Sequence, residues 1–170
     1  RLSFGYTIAT GLVFGAFIAY LSMAQQIFDT VYGQGTMFPL YFAILASALG
    51  TASIINAKLV MRFGMRRLSI TALYALTTWC IGFITLMHWA GVEIILWVFI
   101  VWGVIAFFCL GMVFSNFNAQ AMEPLGHIAG IGAAVIGFVS TLISSMVGLG
   151  IGQMFDGTVL PLVGGFGGCG

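Results

Sequence analysis

The sequence predicts an all-α, polytopic membrane protein with about five transmembrane helices. Three observations carry that prediction. The chain of 170 residues is 61% hydrophobic and only 5% charged, against roughly 25% charged in soluble domains, so its natural solvent is a bilayer. Its charges are spaced so that each apolar run between them suits one membrane crossing. Its basic residues are gathered together: Lys58, Arg62, Arg66 and Arg67 lie between positions 58 and 67, and Arg1 alone stands elsewhere.

The charges mark the cuts. A helix crossing ~30 Å of hydrocarbon needs about 20 residues, and a Lys, Arg or Asp at its centre costs roughly 2.5–3.5 kcal/mol. Residues 2–28, 30–57, 68–92, 94–122 and 124–155 contain no Asp, Glu, Lys or Arg. The predicted spans are 5–27, 38–57, 68–88, 94–117 and 128–152, none long enough to hold two helices. Turn chemistry agrees. Tyr32-Gly33-Gln34-Gly35 with Pro39 separates the first two spans, and His88-Trp89-Ala90-Gly91 separates the third and fourth. Glu123-Pro124-Leu125-Gly126 separates the fourth and fifth, and Asp156-Gly157-Thr158 with Pro161 closes the fifth.

Cytoplasmic loops collect Lys and Arg. If loop 58–67 is cytoplasmic, alternation places Arg1 inside as well, Asp29, Glu93 and Asp156 outside, and Glu123 inside. The basic loop then serves as a topology anchor and headgroup contact, or does something more specific. The first residue is Arg1 rather than Met, which suits a processed chain or a fragment.

Several function classes lack their residues. Cys80, Cys109 and Cys169 are far apart, with no CxxC or Cys/His spacing, so neither a metal nor a redox pair is expected. No GxSG stretch exists, and His88 and His127 fall at span ends, so an intramembrane protease or a haem or quinone protein lacks its side chains at depth. No enzyme activity and no cofactor are expected, and no basic patch suits nucleic acid.

Two spans carry stripes of small residues at three- and four-residue spacing, which lies along one helix face. In the first span these are Gly11, Gly15, Ala19, Ser22 and Gln26, beside Phe14, Phe17 and Tyr20. In the fifth they are Gly130, Ala133, Gly137, Thr141, Ser144, Gly148 and Gly152. Such stripes let helix backbones approach closely. They serve as packing, as a surface that slides, or as both. The fourth span ends in Ser115-Asn116-Phe117-Asn118-Ala119-Gln120. That cluster either caps a helix end or contacts a ligand. Trp97 near the outer boundary fits an aromatic belt.

Gly50 and Asn56, followed by Leu59-Val60-Met61-Arg62-Phe63-Gly64-Met65-Arg66-Arg67, resemble the degenerate second copy of the major facilitator loop motif. That motif joins the second and third helices of each half. Its usual acidic residue falls at Met61, so the charge partner is absent. The run Asn118-Ala119-Gln120-Ala121-Met122-Glu123-Pro124, with Ala129-Gly130, Ala133-Ala134, Gly137 and Asp156-Gly157-Thr158 with Pro161, resembles the tenth-to-eleventh helix region of drug:proton antiporters of the bicyclomycin-resistance type. The resemblance covers residues 4–162.

It implies half of a major facilitator fold, helices seven to eleven, in the inner (plasma) membrane of a bacterium. Implied partners are the lipid bilayer, a missing N-terminal half or a second copy, and a small-molecule substrate. The implied function is export of lipophilic or drug-like molecules in exchange for protons. A five-helix scaffold or assembly protein is the alternative. Spans one, two, four and five would line the substrate path and span three would face lipid. Candidate path residues are Tyr20, Gln25, Gln26, Trp102, Asn116, Asn118, Thr141 and Ser144. Gln25 and Gln26 could equally sit at the water interface. Candidate loop-motif residues are Asn56, Arg62, Gly64, Arg66 and Arg67. Candidate packing residues are Gly11, Gly15, Gly130, Gly137, Gly148 and Gly152. No Asp, Glu, Lys or Arg lies mid-span, so proton coupling falls to the other half. The Gly-rich tail 158–170 is too short and too Gly-rich to span, and resembles an altered or truncated end.

Overall fold

The computed structural model describes residues 2–90, 95–154 and 159–169. Helix α1, Leu2–Gln26, runs on into a π-helical turn, Ile27–Val31, and a 3-10 turn, Gly35–Met37. Helix α2 is Phe38–Phe63, with Pro39 in its first turn, where a missing N–H costs no hydrogen bond. Gly64 alone separates α2 from α3, Met65–Ala90. Helix α4, Leu96–Met122, leads through the 3-10 turn Glu123–Ile128 into α5, Ala129–Gln153, and α6 is Leu160–Cys169. The expected turns at Gly91 and Glu93 and at Asp156, Gly157 and Thr158, and the placement of Arg1, lie outside the described residues.

Four segments are long and apolar enough to cross a membrane. The last, Leu96–Gln153, holds both α4 and α5, which the turn around Pro124 folds back on each other. The chain is thus an all-α polytopic membrane fold. Helices α2 and α4 run past the predicted span ends, to Phe63 rather than 57 and to Met122 rather than 117. A charge marks the end of hydrocarbon, but a helix continues through the headgroup layer until a residue stops it. At Gly64 the backbone reaches φ 79 and ψ 151, a region that is essentially Gly-only.

Contacts give the helix directions. On α1, Gly11 faces Ile143 and Gly15 faces Val147 of α5, and Gly152 faces Ser22, so α1 and α5 run parallel. Leu45 meets Gly103, Ala52 meets Gly111, and Asn56 meets Asn116, so α2 and α4 also run parallel. Tyr6 meets Phe117 and Tyr20 meets Phe107, so α1 and α4 are antiparallel. The Ser3 hydroxyl donates to the Ala121 carbonyl at one end of that pair. Trp79 Nε1 donates to the Trp102 carbonyl, and Gln120 donates to Ser69, so α3 and α4 are antiparallel too. These directions form a single up-and-down series in which α4 sits centrally, packed on α1, α2 and α3.

The core is aromatic. Trp102 lies between Phe83 and Phe99, with ring centroids at 5.1 and 5.7 Å, and Phe28 stacks on Tyr41 at 5.2 Å. The sequence marks the Gly-rich tail as too short and too Gly-rich to span. It is a helix, packed on α3 and α1, with Leu162, Val163 and Phe166 fully buried. Phe166 fills a niche beside Trp102 and Phe107. Burial of that ring overrides the poor helix propensity of glycine. Ten residues span about 15 Å, half a bilayer.

Candidate functional site

Helices α1, α2 and α4 open a cleft of about 260 Å³. Phe14 and Phe17 come from α1, Gly50 and Ser53 from α2, and Phe114 and Ser115 from α4. Phe14 stacks on Phe114 at 4.9 Å and lies 5.3 Å from Phe17, so three rings join Val13, Leu49 and Leu110 in an apolar wall. Among the described residues, no charged side chain lines it. The Ser53 hydroxyl donates to the Leu49 carbonyl, and the Ser115 hydroxyl donates to the Gly111 carbonyl. Their protons are therefore spent on their own helices, and each leaves only an acceptor to the cleft. A Cβ added to Gly50 would meet no atom, whereas one at Gly111 would sit 2.9 Å from Ala52. Gly111 lets α4 approach α2, and Gly50 leaves the cleft open. The arrangement suits an apolar or aromatic ligand held by ring contact.

Towards the hairpin end a buried polar bracket closes the α2–α4 seam. Asn56 and Asn116 exchange reciprocal amide hydrogen bonds of 3.0 and 2.8 Å. Gln120 Nε2 donates to the Asn116 carbonyl and, at 3.3 Å, to the Ser69 hydroxyl of α3. All four side chains are buried. One bracket of uncharged amides therefore fixes three helices.

Tyr20 does not line the cleft; it is buried, 1% exposed, between Phe42 and Phe107, and its hydroxyl has no partner among the described residues. Asn116 belongs to the bracket rather than to the cleft wall. Trp102 is buried among α3, α4 and α6, away from the cleft. Gln25, Gln26, Asn118 and Thr141 are exposed and do not line it. Ser144 is buried and donates to the Thr141 carbonyl. Just beyond the first span, burial raises the Tyr32 phenol to about 12, so it stays neutral in the physiological range.

Of the packing candidates, Gly11, Gly15, Gly148 and Gly152 lie in the α1–α5 contact, while Gly130 and Gly137 face open space. Arg62, Arg66 and Arg67 are exposed around Gly64, with the Arg62 guanidinium 5.5 Å from the Phe63 ring. A second cleft there, of about 720 Å³, joins Gly64, Arg66 and Arg67 to Glu123 and Gln120. Among the described residues, no cluster of three or more His, Cys, Asp or Glu side chains could hold a metal. Sequence reasoning did not single out Ser53, Ser69 or Phe114. One of sixteen phenylalanines carries no mark of its place until the helices are packed.

No family model matches the chain, and no solved structure matches it. A Bacillus subtilis (strain 168) protein described as an uncharacterized MFS-type transporter, YdgK, is 28% identical over 170 residues. The match covers 95% of this chain and 40% of that protein, so the chain spans about two fifths of its relative's length. The similarity supports a transporter of the major facilitator type.

Proposed function

We propose that the chain is the C-terminal half of a major facilitator transporter. It would export small lipophilic or drug-like molecules in exchange for protons, and its loop 58–67 would face the bacterial cytoplasm. The observation that carries the reading is the similarity to the MFS-type transporter along nearly the whole chain. The charge-free cleft supports the substrate class, since ring faces accept varied apolar shapes. Alternating access places a substrate near the midplane, between two halves that rock. In this reading the cleft is one wall of the path. Tyr20, Gln25, Gln26, Trp102, Asn118, Thr141 and Ser144 belong to it only where the second half, or rocking, brings them to substrate. The Asn56–Asn116 bracket keeps the wall rigid. Membrane proton relays use ionisable groups inside the bundle, and the spans of this chain carry no Asp or Glu at mid-depth. The coupling carboxylate then belongs to the partner half.

The test is efflux of a preloaded lipophilic dye from cells stripped of their major pumps, with and without an uncoupler. The chain alone is expected to be inactive. Co-expression of an N-terminal half from a related antiporter is expected to restore uncoupler-sensitive efflux, and Phe114→Trp, which fills the cleft, to reduce it several-fold. Uncoupler-sensitive efflux by the chain alone would overturn the assignment of coupling to the other half. No efflux in either case would favour the scaffold alternative.

A further inference from the structure

Helices α2 and α3 leave Gly64 in opposite senses and touch each other little. The gap between them, floored by α4, is an apolar groove of about 470 Å³. Cys109 and Met112 of α4 and Ala72 of α3 are buried along it, with Ala75 further from the hairpin and Phe63 on the α2 side. Among the described residues one charged side chain lines it, the exposed Arg67, at the hairpin end. From Arg67 to Ala75 the helix rises about 12 Å, so the groove leads from the headgroup layer into hydrocarbon.

We infer that this groove is a binding site for one anionic glycerophospholipid of the leaflet on the hairpin side. An acyl chain lies along Ala72 and Ala75, and the phosphate meets Arg67. Two features must be matched together. The apolar slot accepts hydrocarbon, and the small alanine side chains keep it open. The hairpin end carries net positive charge: Lys58, Arg62, Arg66 and Arg67 fall within ten positions, against one acid, Glu123, in the adjacent cleft it shares with Arg66 and Arg67, and the first turn of α3 carries no acid. A cluster of basic residues beside a span attracts anionic headgroups. A neutral lipid satisfies only the slot, and free phosphate satisfies only the mouth. A second groove, towards the other end between α3 and α4, is of similar size, about 510 Å³, and lined by Trp79, Trp97 and Val101. Among the described residues no charged side chain lines it, so the described lining gives it no headgroup preference. The site depends on the membrane fold alone and not on transport.

The experiment is native mass spectrometry of the full chain in detergent, titrated with phosphatidylglycerol or phosphatidylcholine of matched chains. The chain is expected to retain phosphatidylglycerol at least ten-fold better. Arg67→Gln removes most of that preference and Arg67→Lys keeps it. Ala75→Phe, on an exposed position, lowers retention of phosphatidylglycerol while leaving helicity unchanged. Inorganic phosphate and glycerophosphoglycerol at millimolar concentration do not compete. Equal retention of the two lipids, or Arg67→Gln and Ala75→Phe both behaving as wild type, would overturn the site. Competition by phosphate would reduce it to an anion contact and overturn the acyl-chain assignment.

Discussion

Asn56 and Asn116 each use an amide donor and an amide acceptor on the other, in a seam where water does not compete. Truncating one leaves the other buried and half-paired. Asn56→Ala is expected to lower stability by about 1–2 kcal/mol, read as a lower thermal midpoint in detergent. Truncating both costs less than the sum of the single changes, because the second removal discards a group already orphaned. Additive losses would mean that the pair does not act as a unit. The Tyr20 hydroxyl is the opposite case, buried and unpaired. Tyr20→Phe should leave stability unchanged or raise it by up to about 1–3 kcal/mol. A loss would reveal a partner for the hydroxyl. At Gly64 a Cβ meets nothing, yet Gly64→Ala is expected to cost about 1–3 kcal/mol, because the strain lies in φ rather than in space. Asn56 and Gly64 stand out in the sequence through the loop motif they resemble. Ser69 and Phe114 did not, since their roles depend on which helix lies opposite.

The α1–α5 contact shows what periodicity can and cannot give. Spacing alone marks a small-residue stripe on α5 from Gly130 to Gly152. Packing on α1 uses that stripe at Ser144, Gly148 and Gly152, but nearer the turn the buried residues are Ile136 and Gly132, the latter against Leu125 of the turn rather than against α1. The buried line Gly132, Ile136, Ser144, Gly148 advances in fours and drifts around the helix. The stripe, stepping 3, 4, 4, 3, 4 and 4, drifts far less, so the two coincide only at one end. Gly15→Ala would place a Cβ 2.7 Å from Val147 Cβ. Overpacking of that kind costs about 1–3 kcal/mol. Gly137→Ala meets no atom, and gains up to about 1 kcal/mol of helix propensity. Opposite shifts in thermal midpoint are the expected outcome, and equal shifts would mean that α1 and α5 do not pack in this register. Helix α6 was hidden for the converse reason. Its glycines speak against a helix, and only the niche that receives Phe166 explains why one forms.

For the molecule as a whole, alternation and charge placement make one joint prediction. The parallel pairs α1–α5 and α2–α4 fix the relative direction of the helices, but no contact inside the bundle says which end faces the cytoplasm. That choice rests on Lys58, Arg62, Arg66 and Arg67 alone, through the preference of basic loops for the inner side. The hairpin and the turn before α2 lie at opposite ends of α2, and both Arg62 and Gln34 are exposed. Single cysteines placed there, as Arg62→Cys and Gln34→Cys, should react with an impermeant maleimide from opposite sides in intact cells. In a Cys169→Ser background, Gln34→Cys is expected to label without lysis and Arg62→Cys only after it, with the Cys169→Ser chain alone as the control because Cys80 and Cys109 are buried. The reverse pattern would invert the whole series at once, placing the basic hairpin and its cleft outside. Labelling of both from one side would contradict the crossing of α2 itself. Neutralising all four basic residues of the hairpin should scramble the pattern while each helix remains intact, since no element of the bundle depends on them for its core.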